Sequence, residues 1–162
     1  MIRTVTATDM TGLSALLVAS GLFGPNDLAE VSGMVTAYVD GSLGNDHCWV
    51  VDDGDDTQAG PLAVAYYAPE RMTEGTWNLY LIAVHPDYQG QGRGATLLRF
   101  VEQALAARGE RILLVETSGL PSFERTRAFY RKCGYDEEAR IREFYSAGQD
   151  KVIFRKALSS KF

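Results

Sequence analysis

Apolar positions recur along the chain at two alternating spacings. Ile2–Val5 has the look of a short strand. Leu13, Leu16 and Leu17 then fall at helical spacing behind Thr8 or Asp9, either of which can cap a helix running to about Ser20. Leu28, Val31, Val35 and Tyr38 repeat that spacing from Asn26 or Asp27 and stop before Gly41. Cys48–Val51 reads as a strand, the run DDGDDTQAG over 52–60 as a turn, and Pro61–Ala68 and Thr76–Val84 as strands flanking the polar segment Pro69–Gly75. The loop His85–Gly92 leads into a helix from about Arg93 to Arg108, striped by Leu97, Leu98, Val101, Ala104 and Leu105 and ended by Gly109. Arg111–Thr117 is a strand and Ser122–Lys132 a helix closed by Gly134. Two further strands, Tyr135–Tyr145 and Lys151–Leu158, are joined by the turn Ser-Ala-Gly-Gln-Asp. This order predicts an α/β fold of the mixed, α+β kind, with helices on both faces of one sheet. No internal repeat or linker interrupts it, so residues 1–162 read as a single domain.

Composition narrows the classes open to such a fold. The longest apolar run, Leu79–Val84, falls far short of the ~20 residues that span a bilayer. The first ten residues lack the apolar core of a secretory signal. Cys48 and Cys133 have neither the number nor the spacing of a disulfide framework or zinc site, and His47 and His85 have no partner at ligand spacing. A cytoplasmic protein with no metal and no membrane attachment is expected. The formal charge of −5 and pI near 5.0 disfavour nucleic acid as a partner. The local basic group Arg125, Arg127, Arg131 and Lys132 is explained by an exposed helix face.

The most informative segment is LYLIAVHPDYQGQGRGATLL, residues 79–98. Gly90, Gly92 and Gly94 allow close approach of a ligand to backbone, and amides at the start of a helix attract phosphate. Arg93 could add a formal charge. The same glycines would also serve a tight turn without a ligand. A Walker loop is excluded because no Gly-Lys-Ser/Thr follows. Gly90-x-Gly92-x-x-Ala95 fits the dinucleotide pattern, with Glu116 ending the next strand. However, His85–Gln89 separates strand from glycines, and only ~70 residues follow, too few for a doubly wound sheet and a substrate domain. An NAD-type binder therefore stands behind a reading based on two motifs.

Those motifs resemble the GNAT superfamily of N-acetyltransferases. Ala83-Val84-His85-Pro86 followed by Gln89-Gly90-Gln91-Gly92-Arg93-Gly94 is similar to its coenzyme A loop, Gln/Arg-x-x-Gly-x-Gly/Ala. Thr126-Arg127-Ala128-Phe129-Tyr130-Arg131-Lys132-Cys133-Gly134-Tyr135 is similar to its Phe-Tyr-x-x-x-Gly-Phe/Tyr helix end. Their order and separation, and the strand order over nearly the whole chain, agree with the family. The resemblance implies a mostly antiparallel sheet in which Thr76–Val84 and Arg111–Thr117 run parallel and splay apart. It implies acetyl-CoA as co-substrate and a small-molecule or protein primary amine as acceptor. The pyrophosphate would lie on the amides of Gln89, Gly90, Gln91, Gly92, Arg93, Gly94 and Ala95. The pantetheine arm would pair with Ile82, Ala83 and Val84, where a backbone N–H would stabilise the oxyanion. A homodimer is an assembly found among relatives.

By the same resemblance Tyr130 is the proton donor to the leaving thiolate. The position aligned with the family's basic glutamate is Asn78, whose amide cannot take a proton. Glu74, Glu116 and His85 are near in sequence, and Glu116 is the preferred substitute, acting directly or through water. Keeping a lysine-like amine neutral at pH 7 costs about 4.6 kcal/mol, against about 1 kcal/mol for an α-amine, so a chain without an evident base suits a low-pKa acceptor. Phe123 stands where many relatives have an asparagine on the pantetheine; an apolar contact is expected there. Cys133 reads as core, Trp49 and Trp77 as strand packing, and Phe23, Asp27, Glu30 and Tyr38 as acceptor-side candidates. A non-catalytic acyl-CoA-binding regulatory module is the other reading of a chain with this loop and no evident base.

Overall fold

β-Branched and aromatic residues at period two build β1 (Ile2–Thr4), β2 (Cys48–Asp52) and β3 (Ala63–Pro69), which pair antiparallel in the order β1-β2-β3. The computed structural model describes residues 1–23, 25–42, 46–55 and 60–158. Of the turn expected over 52–60, residues 56–59 lie outside the described residues. These pack as two compact units, Met1–Ala68 with Leu81–Val101 and Pro69–Tyr80 with Glu102–Phe162, and β4 (Thr76–Val84) runs through both.

In the first unit, α1 (Met10–Ser20) and α2 (Pro25–Val39) cover one sheet face. Leu13, Leu16, Leu17 and Val35 meet Trp49, Val51, Val64, Tyr66, Ala68 and Ala83 in one core. The intervening positions Val50, Ala63, Ala65 and Tyr67 are buried as well, so this part of the sheet is covered on both faces. The first helix begins later than Thr8: Ala7–Asp9 form a single tight turn. Asp9 closes that turn by accepting the Thr6 amide at 2.7 Å and also receives Arg3 Nη1 and Nη2 at 2.9 and 2.8 Å.

The hydrogen bonds from Arg3 hold the Asp9 carboxyl, ordinarily near 3.8, at about 2. A depressed carboxylate pKa adds stability above the unfolded value and loses it as pH falls through the folded one. That displacement is worth roughly 2 kcal/mol, or about 1–2 once the partial exposure of Arg3 is allowed for. Unfolding free energy measured by urea from pH 5 to pH 2 should therefore fall more steeply in the native chain than in Asp9→Asn. Parallel curves would show that the ion pair contributes nothing.

The second unit continues from β4 in the order β4-β5-β7-β6, through β5 (Ile112–Ser118), β6 (Asp136–Ser146) and β7 (Gln149–Ala157). The β4–β5 pair is parallel, from Thr76↔Ile112 to Leu79↔Val115, and β4 then continues to Val84 and β5 to Ser118. The β5–β7 and β6–β7 ladders are antiparallel. The sheet is thus mixed, as the order of elements predicts, with the one parallel pair that the family resemblance implies. α3 (Arg93–Ala107) connects β4 to β5 and buries Leu97, Leu98, Val101 and Leu105. α4 (Glu124–Lys132) follows a tight turn at Pro121–Phe123.

One expectation for α4 is corrected. Arg127 does not belong to an exposed basic face; it is buried, donating through Nη1 to the carbonyls of Ser118 and Leu120 at 2.7 and 2.9 Å and through Nη2 to Glu124 at 2.8 Å. Its guanidinium satisfies the backbone oxygens left over where β5 ends, which a hydrophobic residue could not do.

Candidate functional site

The loop between β4 and α3 holds its shape by its own side chains. Gln89 Nε2 donates to the Val84 carbonyl at 3.0 Å, and His85 Nδ1 accepts the Asp87 amide at 3.1 Å. Gly90 and Gly92 have φ of 73° and 82°, the left-handed region. The first backbone amide to bond back into the helix is Thr96, to the Gly92 carbonyl at 3.0 Å. Among the described residues, the N–H groups of Gly90, Gln91, Gly92, Arg93, Gly94 and Ala95 donate to no protein acceptor. Six consecutive amides, the last three at the positive end of a fifteen-residue helix, form a concentrated array of donors for an anion. A Cβ built on Gly90 or Gly92 meets no protein atom within 4 Å, so the space over the loop is open. A diphosphate fits these donors.

The Arg93 side chain adds less than its sequence position suggests. Its guanidinium bonds Asp52 Oδ2 at 3.3 Å and lies 5.6 Å from the centre of the Tyr88 ring, while Nε is buried with no partner. Its charge is shared with a carboxylate, leaving backbone as the main contribution at this position. Along β4, Ala83 joins the core with Leu81, and Ile82 and Val84 alternate to the other side, half-buried.

In the second unit Tyr130 is 3% exposed. Its ring packs against Phe129, Tyr135 and Phe154 at centroid separations of 5.3, 6.0 and 5.6 Å. Burial pushes its phenol well above the ordinary value near 10, with Cys133 adding a smaller push, so it holds its proton across neutral pH. Tyr135 beside it donates to Glu102 Oε2 at 2.7 Å and is fixed structurally. Phe123 is half-buried and occupies the position before α4.

Asn78 is fully buried on β4 and joins two carboxylates. Its Nδ2 donates to Glu70 Oε1 at 2.8 Å and to Glu116 Oε1 at 2.9 Å. Glu116 Oε1 also pairs with the Lys151 ammonium at 2.9 Å, and Lys151 sits 4.0 Å from the centre of the Phe144 ring. Glu70 accepts a second bond from the Tyr80 hydroxyl at 3.2 Å. Of the carboxylates near in sequence, Glu116 therefore joins this group, whereas Glu74 is exposed on the turn before β4 and offers its carbonyl to Arg111. Sequence reasoning missed Glu70 and Lys151. The strand register was the available signal, since Glu70 and Thr76 close the turn between β3 and β4 through a backbone bond of 2.8 Å.

The remaining candidates separate. Phe23 and Tyr38 pack against the first unit's core, and burial raises the Tyr38 phenol; Asp27 and Glu30 are exposed. Trp77 is buried beneath Arg108, whose guanidinium carbon lies 4.7 Å from its ring centre. Among the described residues, no three His, Cys, Asp or Glu side chains group to hold a metal ion. No helix among them is long and apolar enough to cross a membrane.

The model of the acetyltransferase (GNAT) domain matches residues 44–137. A GNAT-family protein from Desulfovibrio desulfuricans is 31% identical, with a TM-score of 0.90 over 98% of this chain and 99% of its own. The ribosomal-protein-S18-alanine N-acetyltransferase of Escherichia coli shares the fold at TM-score 0.76 and 21% identity, covering 100% of this chain and 96% of its own. An aminoglycoside 6'-N-acetyltransferase complexed with coenzyme A does so at TM-score 0.74 and 15% identity, covering 100% and 99%. No curated protein sequence matches the chain.

Proposed function

Because the chain belongs to the GNAT acetyltransferase family, we propose that it transfers the acetyl group of acetyl-CoA to a primary amine, small-molecule or protein-borne, by direct attack. The observation that carries this reading is the run of six undonated amides from Gly90 to Ala95, which suits a diphosphate. Bound acetyl-CoA supplies the thioester. The chain's part begins with the amides of Gly90–Ala95 cradling the pyrophosphate; the Gln89 amide expected to join them is given to the Pro86 carbonyl at 3.4 Å. Ile82–Val84 offer strand backbone to the pantetheine, with an N–H near Val84 for the oxyanion. Phe123 contributes apolar contact. Tyr130, protonated at neutral pH, gives its proton to the departing sulfur. The relatives named for ribosomal-protein alanine and for aminoglycosides show that this fold serves both kinds of amine.

Calorimetric titration with acetyl-CoA, with NAD as control, tests the reading. Micromolar binding of acetyl-CoA alone, about −8 kcal/mol, is the expected result. Binding of NAD in its place would overturn it. Acetyl-CoA binding with no amine-dependent thiol release would identify an acyl-CoA-binding module instead of an enzyme.

A further inference from the structure

We propose that Glu70 is the carboxylate that receives the acceptor's ammonium and takes its proton; this rests on the acetyl-transfer reading above. On β4, the residue aligned with the family's base is Asn78, an amide, and the structure shows what that amide does. It spends its Nδ2 on Glu70 and Glu116, at 2.8 and 2.9 Å. Its Oδ1 is buried and has no hydrogen-bond partner. Exchanging oxygen and nitrogen would aim the oxygen at two carboxylates, so the orientation is fixed. Both donor hydrogens of Asn78 are thus committed to carboxylates, so the amide holds Glu70 in place and leaves its own oxygen unspent.

The two acids differ. Glu116 already has an internal ammonium: Lys151 lies 2.9 Å from its oxygen and 4.0 Å from the centre of Phe144. A carboxylate with an aromatic ring is thus the arrangement in which this protein itself lodges an alkylammonium. Glu70 also stands beside an aromatic side chain, Tyr80, whose hydroxyl donates to Glu70 Oε1 at 3.2 Å, and among the described residues no lysine or arginine pairs with Glu70. Oε1 is fixed by Asn78 and Tyr80, which leaves Oε2 for an incoming cation. Tyr80 is half exposed, so the pair is open to solvent.

In the proton step, the N–H bond of the acceptor's ammonium breaks and its proton moves to Glu70 Oε2. The electron pair stays on nitrogen, giving the neutral amine that attacks the thioester. The second N–H proton, lost as the amide forms and the C–S bond breaks, restores through solvent the Tyr130 phenol that protonated the thiolate, and Glu70 returns the first proton to water. Asn78 positions Glu70, in place of carrying the base itself.

The test is amine-dependent thiol release from acetyl-CoA, using spermidine and a peptide with a free alanine N-terminus, across pH 6–9. For the amine that reacts, Glu70→Gln should lower kcat/KM at least thirtyfold across this range, while the acetyl-CoA Kd stays within about twofold. Glu70→Asp, which keeps a carboxylate, should recover part of the rate. Wild-type kcat/KM and pH profile in Glu70→Gln would overturn the role while leaving acetyl transfer intact. Loss of acetyl-CoA binding or of folding in that variant would overturn it by showing a structural part. No thiol release from the wild type with either amine would sink the acetyl-transfer reading and this role together.

Discussion

Replacing Tyr130 by Phe should lower kcat for acetyl transfer by on the order of 10²-fold while leaving the acetyl-CoA Kd nearly unchanged. The substitution is a clean probe because the ring is held by contacts that Phe also makes, against Phe129, Tyr135 and Phe154. Only the hydroxyl is lost, so the melting temperature should move little. Burial raises the phenol's pKa, so the hydroxyl keeps its proton until a thiolate is generated beside it. The sign follows. A phenol pushed above 10 stays neutral over the working range, so Tyr130 cannot cause an alkaline fall in rate below pH 10. The Phe variant should show a lower profile of unchanged shape there. An unchanged kcat would reduce Tyr130 to packing.

The pattern of the sequence carried most of the architecture and the outline of the site. Among the described residues the pattern located the α-helices and strands, because the first unit's core, for example, draws on residues at strict helical or strand spacing, such as Leu13, Leu16 and Leu17 against Val51 and Val64. The parallel β4–β5 pair is implied by the family resemblance, and the helix-length crossover between the strands is compatible with it. What resisted reading has a common cause: a charged side chain's partner is set by tertiary contact. Arg127 looked like one of four surface cations, yet it closes the end of β5. Arg93 looked like a phosphate ligand, yet it leans on Asp52, forty-one positions away in sequence. Glu70 sits in a polar segment with no periodic signal, and only the turn between β3 and β4 brings it to Asn78.

The same cluster bears on the acceptor. A carboxylate at Glu70 holds the ammonium and receives its proton, but the free-energy cost of reaching the neutral amine depends on the amine itself. The cost of the neutral amine, about 1 kcal/mol for an α-amine at pH 7 and about 4.6 for a lysine-like one, therefore remains largely with the substrate. The expected result is that an α-amine or another amine of low pKa reacts faster at pH 7 than a lysine-like one, and the alanine peptide is the more informative of the two probes. A kcat/KM for spermidine above that of the peptide at pH 7 would argue against this ordering.

Gly92→Val should weaken acetyl-CoA binding by tenfold or more, and the reason can be separated from damage to the fold. Gly92 has φ of 82°, where a β-branched residue is strained, so the substitution costs about 1–2 kcal/mol of local backbone energy. No protein atom lies within 4 Å of the added Cβ, so nothing in the core is displaced and the melting point should fall only modestly. Binding suffers more, because the strain is relieved by turning peptide units that present the amides from Gly90 to Ala95. Each charge-assisted bond to phosphate that is misdirected forfeits about 1.5–3 kcal/mol. Gln91→Ala is the matched control. That side chain is exposed and donates only to the Asp87 carbonyl, at 3.4 Å, so its removal should leave both Kd and melting nearly unchanged. Calorimetry on the two variants separates loss of the amide cradle from loss of a side chain. If Gly92→Val binds acetyl-CoA as tightly as the native chain, the loop amides do not hold the diphosphate, and the coenzyme must be bound by other parts of the protein.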